Sequence, residues 1–377
     1  MSNRMVFAAD IVPTQNNKEY FKKGDIEHLF GKEMISYLAG VDFRCFNLEV
    51  SLTDREMRAD YPGPHLMAEP ETVHAIQRLS PNLLTLGNNH ALDQGQQGLL
   101  STMSVLQDAH IPFIGAGPNF DEARKPLIIN IGEAVIGIYN CSEYEFAGAT
   151  ENTCGVNLYD PLRSFDDVRA LKNDCDIVIV LYHGGKELYR YPSPDVRRVC
   201  RKFVECGANL VICQHTHCIG CAEEYREGTI VYGQGNFLFE GREDERKNTG
   251  FFVECLLENK SLKKVNYVPF YKKNECVRLA GAEKAKEILD EFEKRNEQIK
   301  QPGFVEAEYD KLALEQYAKY VSILLGKKRV FRWINRLSRG KFFANFYSPK
   351  EALAVLNVIS PENHSELFKA ALRLKGK

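Results

Sequence analysis

The chain has 377 residues, of which 44% are hydrophobic and 27% are charged, and this balance is typical of a folded globular protein rather than a disordered or fibrous one. Lysine and arginine together number 49 against 51 acidic residues, so the formal net charge of -2 does not point to a nucleic-acid-binding protein. The length favours roughly two domains.

Eleven cysteines, an odd number, are scattered from Cys45 to Cys276. Several lie inside apolar runs, which favours a reduced interior over a framework of disulfides. The apolar run over residues 5–9 is too short for a signal peptide, and no segment reaches the length that spans a bilayer. We therefore predict a cytoplasmic protein.

The first two predicted strands each lead to a carboxylate. Residues 5–9 form a strand that delivers Asp10, and residues 41–46 form a strand followed by Asn47 and Glu49. In open α/β sheets the ligand crevice lies outside the carboxyl ends of the strands, so both acids are placed for chemistry. For Asp10 the alternative is a capping or turn residue.

The third predicted strand begins at Asn82 and ends in a glycine turn that presents Asn88, Asn89 and His90. Glycine permits the tight bend, and an asparagine oxygen can bind a metal. The alternative is that asparagine and glycine serve here only as turn formers. A helix over residues 98–110 follows, and a helix over residues 71–79 precedes the strand.

Two more strands are predicted over residues 134–140 and 176–182, with a helix around residues 168–171 between them. The second of these strands ends in His183. A single histidine at such a position is more often a core residue, but as one of several ligand-type residues at strand ends we interpret it as a ligand.

After a helix over residues 195–206, the β-branched run of residues 210–212 leads to His215 and His217. Alternate residues of an extended segment point the same way, so the pair could serve one metal, or one imidazole could serve each of two adjacent metals. The alternative is a pair of surface histidines in a loop. A further strand begins at residue 229 and closes in a glycine turn before Asn236.

Three cysteines, Cys213, Cys218 and Cys221, lie close to these histidines in the sequence. A zinc knuckle would need a second ligand pair, which a single C-x-x-C does not supply. We therefore do not predict a structural zinc site here.

Six motifs occur in order: Asp10, Asn47-Leu-Glu49, Asn88-Asn-His-x-x-Asp-x-Gly-x-x-Gly98, His183-Gly-Gly-x-Glu187, Gln214-His-x-His217 and Tyr232-Gly-x-Gly-Asn-Phe237. Together they resemble the CapA family of bacterial capsule and poly-γ-glutamate synthesis proteins, whose domain is similar to the calcineurin-like metallophosphatases. The resemblance runs from about Arg4 to about Arg295.

The resemblance implies an α/β fold, a four-layer α/β/β/α sandwich over residues 1–300, with a helical and partly basic extension over residues 301–377. It also implies two divalent metal ions, which the oxygen and nitrogen ligands identify as Mn, Zn, Fe or Mg. The implied ligands are Asp10 and His217 for the first metal, Asn89, His183 and His215 for the second, and Glu49 as the bridge, with His90 beside them assisting the leaving group.

The chain departs from the family pattern at several positions. Val12 stands where a histidine is usual, which leaves the first metal one ligand short, and the bridging residue Glu49 is ordinarily an aspartate. Gly184 replaces a tryptophan, Ala9 replaces a glycine, and Gln214 replaces a small residue or a histidine. These changes predict a wider site and a different substrate.

These features lead to one main hypothesis and one alternative. The first is a metal-dependent hydrolase of a phosphoester, or of an amide in a cell-surface polymer, linked to capsule, poly-γ-glutamate or exopolysaccharide synthesis. Its partner would be an anionic polymer or a phosphorylated or γ-glutamyl substrate. The alternative is a non-catalytic polymer-binding or assembly component of a capsule system, which the valine at position 12 supports and the retained His90 opposes.

The C-terminal extension begins with a predicted helix over residues 306–325, and helices are also predicted over residues 351–358 and 362–374. Between them lies a basic stretch without acids, whose cations are Lys327, Lys328, Arg329, Arg332, Arg336, Arg339 and Lys341. Apolar residues interleave at helical spacing, so residues 327–343 could contact an anionic membrane or bind an anionic polymer. The alternative is a helix packed on its own domain with a solvated basic face.

Overall fold

The computed structural model describes residues 3–60, 64–144, 148–239, 248–325 and 328–359. The chain divides into two compact units, Met1–Val305 and Glu306–Lys377. The domain boundary expected after residue 300 stays a prediction, because compactness does not show that a unit folds independently.

The strands of these residues are β1 (Asn3–Val12), β2 (Phe43–Leu48), β3 (Ser51–Leu52), β4 (Met67–Ala68), β5 (Leu83–Thr85), β6 (Phe113–Ile114), β7 (Ala116–Gly117), β8 (Leu127–Ile131), β9 (Ala134–Ser142), β10 (Gly155–Val156), β11 (Ile177–His183), β12 (Leu210–Gln214), β13 (Ala222–Tyr225), β14 (Gly228–Val231), β15 (Leu238–Phe239), β16 (Thr249–Glu258), β17 (Ser261–Lys273) and β18 (Cys276–Leu279). The helices are α1 (Lys18–Lys23), α2 (Ile26–Ala39), α3 (Val73–Arg78), α4 (Gly95–Asp108), α5 (Phe120–Ala123), α6 (Ser164–Asp174), α7 (Pro194–Glu205), α8 (Ala282–Ile299), α9 (Phe304–Leu324), α10 (Arg329–Leu337), α11 (Lys341–Ala344) and α12 (Pro349–Ile359). A short 3-10 turn, Pro70–Thr72, precedes α3.

Two large sheets form the framework of the first unit. One has the strand order β18-β17-β16-β1-β2-β5-β6, with β15 also paired to β1, and the other has the order β13-β14-β12-β11-β9-β8. Strands β1, β2, β5 and β6 are parallel to their neighbours in that series, as are β9, β11, β12 and β14. Parallel pairing brings the carboxyl ends of each set to one edge of its sheet.

The two sheets pack face to face and helices cover their outer faces. Phe7 and Val253 of the first sheet share one buried apolar cluster with Ile138, Leu181 and Ile212 of the second. A second cluster joins the first sheet to α2, α3 and α4, and a third joins the other sheet to α6 and α7. The α/β prediction of a four-layer α/β/β/α sandwich is therefore confirmed.

Some predicted bounds were wrong. Strand β1 does not stop before Asp10 but continues to Val12, because Ile11 and Val12 pair with β15. The last helix predicted from sequence, over residues 362–374, lies outside the described residues. Across the described ranges, no helix is both long enough and apolar enough to cross a bilayer.

All eleven cysteines are buried and free of disulfide bonds, as expected for a reduced interior. Burial raises the pKa of the Cys45 and Cys255 thiols, since no water remains to solvate a thiolate.

Candidate metal centre

The predicted site residues lie at the edge where the carboxyl ends of both sheets meet. The residues and their positions are Asp10 in β1, Glu49 just after β2, Asn89 and His90 in the loop between β5 and α4, His183 at the end of β11, and His215 and His217 just after β12. Parallel pairing aligns the carboxyl ends of β1, β2 and β5 in one sheet and of β11 and β12 in the other. Each site residue lies at or near one of these ends.

Ligand-type atoms gather in two groups that share one carboxylate. In the first group, atoms of Glu49, His183 and His215 lie within 4.8 Å of one another. In the second group, atoms of Asp10, Glu49 and His217 do the same. This is the grouping that the family resemblance implies for two adjacent ions, with Glu49 between them, although ligation itself stays a prediction.

Asn89 lies beside the first group. Its side-chain oxygen is 3.0 Å from Nε2 of His183, and the same nitrogen is 3.2 Å from Oε1 of Glu49. An amide oxygen and a carboxylate oxygen therefore converge with an imidazole nitrogen, as oxygen and nitrogen ligands of a divalent ion do.

Several oxygen and nitrogen atoms that could bind a metal are buried in this centre without a hydrogen-bond partner in the part of the chain that the structure describes. They are Oδ2 of Asp10, both carboxylate oxygens of Glu49, and Nδ1 of His215. Leaving buried polar atoms unsatisfied costs free energy, and a cation bound where they converge would offset that cost. Divalent cations fit this set, because neither group contains a thiolate and both offer carboxylate oxygen and imidazole nitrogen.

Asn47 organises the carboxylate of Asp10. Its side-chain nitrogen donates to Oδ1 of Asp10 at 2.7 Å, while its oxygen accepts bonds from Thr85 at 3.0 Å and Asn88 at 3.2 Å. Neighbouring strands β1, β2 and β5 hold these side chains in line. One oxygen of Asp10 is thus fixed by the protein, and the other faces the centre.

The two histidines after β12 adopt left-handed backbone conformations. The φ angle is 86° at His215 and 53° at His217. Such angles are uncommon for non-glycine residues and accumulate at functional sites. The expected position just beyond the strand is confirmed, since β12 ends at Gln214, but the expected extended conformation was wrong. The backbone turns place one imidazole in each group of ligand atoms.

The histidines differ in their electrostatic surroundings. Burial, followed by the neighbouring histidines, holds the pKa of His215 well below its ordinary value, so its ring is neutral and able to donate a lone pair. Burial also lowers the pKa of His217, but the Glu49 and Asp10 carboxylates outweigh it and raise that pKa to about 9. Burial would raise the pKa of Asp10, yet the nearby imidazoles of His217 and His183 and the hydrogen bond from Asn47 keep it below its usual value.

His90 is oriented by a carboxylate. Its Nδ1 lies 2.7 Å from Oδ2 of Asp93, which is fully buried. Burial lowers the pKa of His90, but the Asp93 bond and the nearby Glu49 charge raise it overall. The backbone nitrogen of His90 donates to the side chain of Asn88 at 3.1 Å, which fixes the loop.

Three residues near the centre carried no role in the sequence analysis. Glu143 follows β9, with Oε1 3.8 Å from Nε2 of His215 and Oε2 accepting from the Gly185 backbone at 3.0 Å. Oδ1 of Asn236 lies 2.8 Å from Nδ1 of His217, and Asp93 orients His90. Glu143 also stands at a strand end, and that was the signal in the sequence that could have identified it.

Two departures from the family pattern have structural explanations. Val12 is buried in the apolar cluster under α2, α3 and α4, so position 12 offers no ligand to the Asp10 group. At Gly184 a Cβ atom would come within 2.8 Å of the Tyr182 ring and 3.0 Å of Oε2 of Glu143. Those two side chains take the space that a larger residue at 184 would need.

A family model described as bacterial capsule synthesis protein PGA_cap matches residues 4–241. The capsule biosynthesis protein CapA of Bacillus anthracis is 28% identical over 265 residues, covering 68% of this chain and 64% of that protein. The PGA biosynthesis protein CapA of Bacillus subtilis is 30% identical over 180 residues, covering 47% of each chain. The matched region thus spans less than two thirds of the length of these relatives.

Among solved structures, a crystal structure described as a novel phosphatase of Mycoplasma pneumoniae aligns with a TM-score of 0.44 and 15% identity, over 73% of this chain and 95% of that one.

Proposed function

The chain belongs to the bacterial capsule synthesis protein family, and on that premise we propose that it is a metal-dependent hydrolase of a phosphoester, or of an amide in a capsule polymer or its precursor. Its cofactors would be two divalent ions. The oxygen and nitrogen ligands suit Mn, Zn, Fe or Mg. The bond cleaved would belong to poly-γ-glutamate, to an exopolysaccharide, or to a phosphorylated precursor of either.

One observation carries the proposal. Glu49 is fully buried, and neither of its oxygens accepts a hydrogen bond from the residues that the structure covers. It stands between His183 and His215 on one side and Asp10 and His217 on the other. A buried carboxylate shared by two imidazole-bearing groups is costly in a purely structural role and suits two cations.

The residues divide the work among them. Asp10 and His217 would hold one ion, Asn89, His183 and His215 the other, and Glu49 both. When bound, such ions polarise the scissile group and make water a stronger nucleophile near neutral pH. Asn47 keeps Asp10 turned toward the centre, and burial around the histidines excludes competing bulk water.

His90 would act on the leaving group. The bond from Nδ1 to Asp93 fixes the ring and its tautomer, which leaves Nε2 for the substrate. No residue of the described chain is hydrogen-bonded to that nitrogen in the structure. A donor held beside the reacting bond stabilises the charge that develops on the departing oxygen or nitrogen.

The test combines metal analysis with turnover. Elemental analysis of the purified protein should find bound divalent metal, and the protein should hydrolyse a generic phosphodiester or a γ-glutamyl amide. His90→Ala should lower kcat by about 100-fold or more, as loss of a general acid does, while metal content stays unchanged. Glu49→Gln should lower the metal content itself.

His74→Ala is the matched control, since His74 is an exposed histidine on α3 whose Nδ1 lies 2.9 Å from the backbone oxygen of Lys22. Its turnover and metal content should equal those of the unmodified chain. Equal turnover in His90→Ala and His74→Ala would overturn the assignment of His90.

A second candidate function rests on Val12. Because this side chain is buried in the apolar core, the Asp10 group has one ligand-type residue fewer than the family pattern supplies. That favours a polymer-binding or assembly component in which metal is structural. Stoichiometric metal without turnover on any phosphodiester or γ-glutamyl substrate would support this candidate and exclude the hydrolase.

A further inference from the structure

A cationic cavity of about 380 Å³ opens between α8, the start of β16, the end of β17 and the loop after β12. Its charged lining comprises Arg190, Lys272, Lys284 and Arg295 against Glu287 and Glu291. A second cavity of about 320 Å³ shares Arg190, Glu291 and Arg295 with it and adds Lys294. Cations therefore outnumber acids in both.

Two arginines stand together in the wall between these cavities. Arg190 donates to the carbonyl oxygen of Ile219 at 3.2 Å, and Arg295 donates to that of Gly220 at 2.7 Å. Adjacent carbonyl oxygens thus accept from the two guanidinium groups. Burial and the charge of Arg190 both lower the pKa of Arg295, which reports the repulsion between the two cations.

These charges are poorly balanced by the protein. The side chain of Arg295 is only 7% exposed, and its nearest carboxylate, on the largely exposed Glu291, is 3.9 Å away, beyond hydrogen-bond distance. In the described part of the chain, no carboxylate forms an ion pair with Arg190. Burying the Arg295 guanidinium without a tight carboxylate partner is costly, and an anion bound beside it and Arg190 would offset that cost.

The cavity lies on the same rim as the candidate metal centre. Ile219 follows His217 by two residues, and the Phe239 ring is 5.4 Å from the His217 ring. Lys272 in turn donates to the carbonyl oxygen of Phe239. Strand β16 is antiparallel to β1, with Phe7 opposite Val253, so Thr249 and the cavity lie toward the carboxyl end of β1.

We propose that this cavity is an oxyanion-binding subsite, in which Arg190 and Arg295 hold a carboxylate or phosphate group of a ligand that extends from the metal centre. Planar guanidinium groups bind both kinds of oxyanion through paired hydrogen bonds. Lys284, whose ammonium pairs with Glu287 at 3.0 Å, adds a further positive charge to the lining. That the ligand is the substrate of the metal centre rests on the proposed function, whereas oxyanion binding does not.

The test is calorimetric titration of inorganic phosphate and of glutarate into the full chain as purified, repeated after chelation of metal. Binding that survives chelation should weaken about 10-fold or more in Arg190→Gln, since charge-assisted hydrogen bonds are lost. Lys284→Glu should weaken it several-fold. Phosphate and glutarate separate the two sources of the oxyanion, and binding of either one supports the subsite.

Lys286→Glu is the matched control, because Lys286 is an exposed lysine on the same helix that does not line either cavity. It should bind both anions as the unmodified chain does. The subsite is wrong if the chelated chain binds neither anion, or if Lys284→Glu and Lys286→Glu behave alike. Anion binding without turnover would support the proposed subsite and contradict the proposed hydrolase activity.

Discussion

Glu223 is a buried carboxylate held by two arginines of α7 and one tyrosine. Arg197 and Arg201 donate to its Oε2 at 2.9 and 2.6 Å, and the Tyr232 hydroxyl donates to Oε1 at 2.6 Å. Burial alone would raise its pKa, but these bonds outweigh burial and lower the pKa to about 2. Ion pairing here joins α7 to the edge strand β13.

This shift gives the fold a specific acid sensitivity. Because the folded-state pKa lies below that of the unfolded chain, the stabilisation is complete above the unfolded value of 4.5 and is lost as pH falls from there toward 2. Glu223→Gln should therefore lower the free energy of unfolding at pH 6, and the difference from the unmodified chain should shrink by pH 3.

Urea denaturation of both chains at the two pH values measures this difference. Glu227→Gln is the control, since Glu227 is an exposed carboxylate in the turn between β13 and β14. A difference for Glu223→Gln that stays constant from pH 6 to pH 3 would contradict the prediction.

The sequence placed individual residues well where strand ends alone determine their position. Asp10, Glu49 and His183 each follow an apolar run in the sequence, and parallel pairing then brings them to one edge. The left-handed turns at His215 and His217 were not predictable, because only tertiary contacts compensate backbone conformations that the residues themselves disfavour. Glu143 also follows a strand, β9, but its contact with His215 joins chain segments that are far apart in sequence.

Helix α10 (Arg329–Leu337) is short, basic and amphipathic. Val330, Trp333 and Leu337 are each 64% exposed, and they share one side of the helix at spacings of three and four residues. Arg332 and Arg336 lie on the adjoining side, and the helix contains no acid. An apolar stripe bordered by cations is complementary to an anionic lipid surface.

The membrane contact suggested by the sequence therefore stays a prediction with a direct test. Trp333 is the chain's single tryptophan, so its fluorescence reports this helix alone. Vesicles containing phosphatidylserine should shift the emission to shorter wavelength as the indole leaves water, and added salt should reverse the shift by screening. Neutral phosphatidylcholine vesicles should produce a much smaller effect.

Reversing the charge of two arginines of α10 tests whether these cations cause the vesicle binding. Each basic residue contributes about 1 kcal/mol near an anionic membrane, so the double change Arg332→Glu and Arg336→Glu should weaken binding by about 10-fold or more. Arg198→Glu is the control, because Arg198 is 78% exposed on α7. Binding of a soluble anionic polymer without any shift on vesicles would show that the surface serves polymer instead.

Element boundaries followed the sequence less closely than element identity. Helix α4 was expected over residues 98–110 but spans Gly95–Asp108, because the loop carrying His90 turns into the helix before Gly98. Strand β1 is longer than its apolar run, since pairing with β15 extends it through Val12. The ends of a strand depend on partner strands from elsewhere in the chain, so the local sequence pattern does not determine them.

At the scale of the whole molecule, α8 closes one margin of the sandwich. It packs against β13 of one sheet and β17 of the other. Phe292 enters the cluster between the sheets, where its ring lies 5.0 Å from Phe251 and 4.6 Å from Tyr267. The same helix supplies Arg295 to the cationic cavity, so its packing positions that residue.

Phe292→Ala should accordingly destabilise the first unit by about 3–5 kcal/mol, the range for removing a buried phenylalanine ring. Urea denaturation measures the loss. Lys286→Ala, an exposed change on the same helix, should alter the free energy of unfolding by less than about 0.5 kcal/mol. A loss below about 1 kcal/mol in Phe292→Ala would show that α8 does not contribute to the core in solution.

The layered architecture was predictable because the family motifs imply it and strong apolar strands alternate with amphipathic helices. The order of strands across the first sheet was not. β16, β17 and β18 come late in the chain yet lie beside β1, and β15 pairs with the far end of the same strand. Pairing between strands so far apart in the chain depends on tertiary packing, which the local sequence pattern does not determine.

The burial of every cysteine has a practical consequence. An alkylating reagent such as iodoacetamide attacks a thiolate that it can reach, and each cysteine of the folded chain is at most 8% exposed. Labelling must therefore wait for the chain to open. The mass increase of each peptide would then report how fast the segment around its cysteine opens, without any engineered probe.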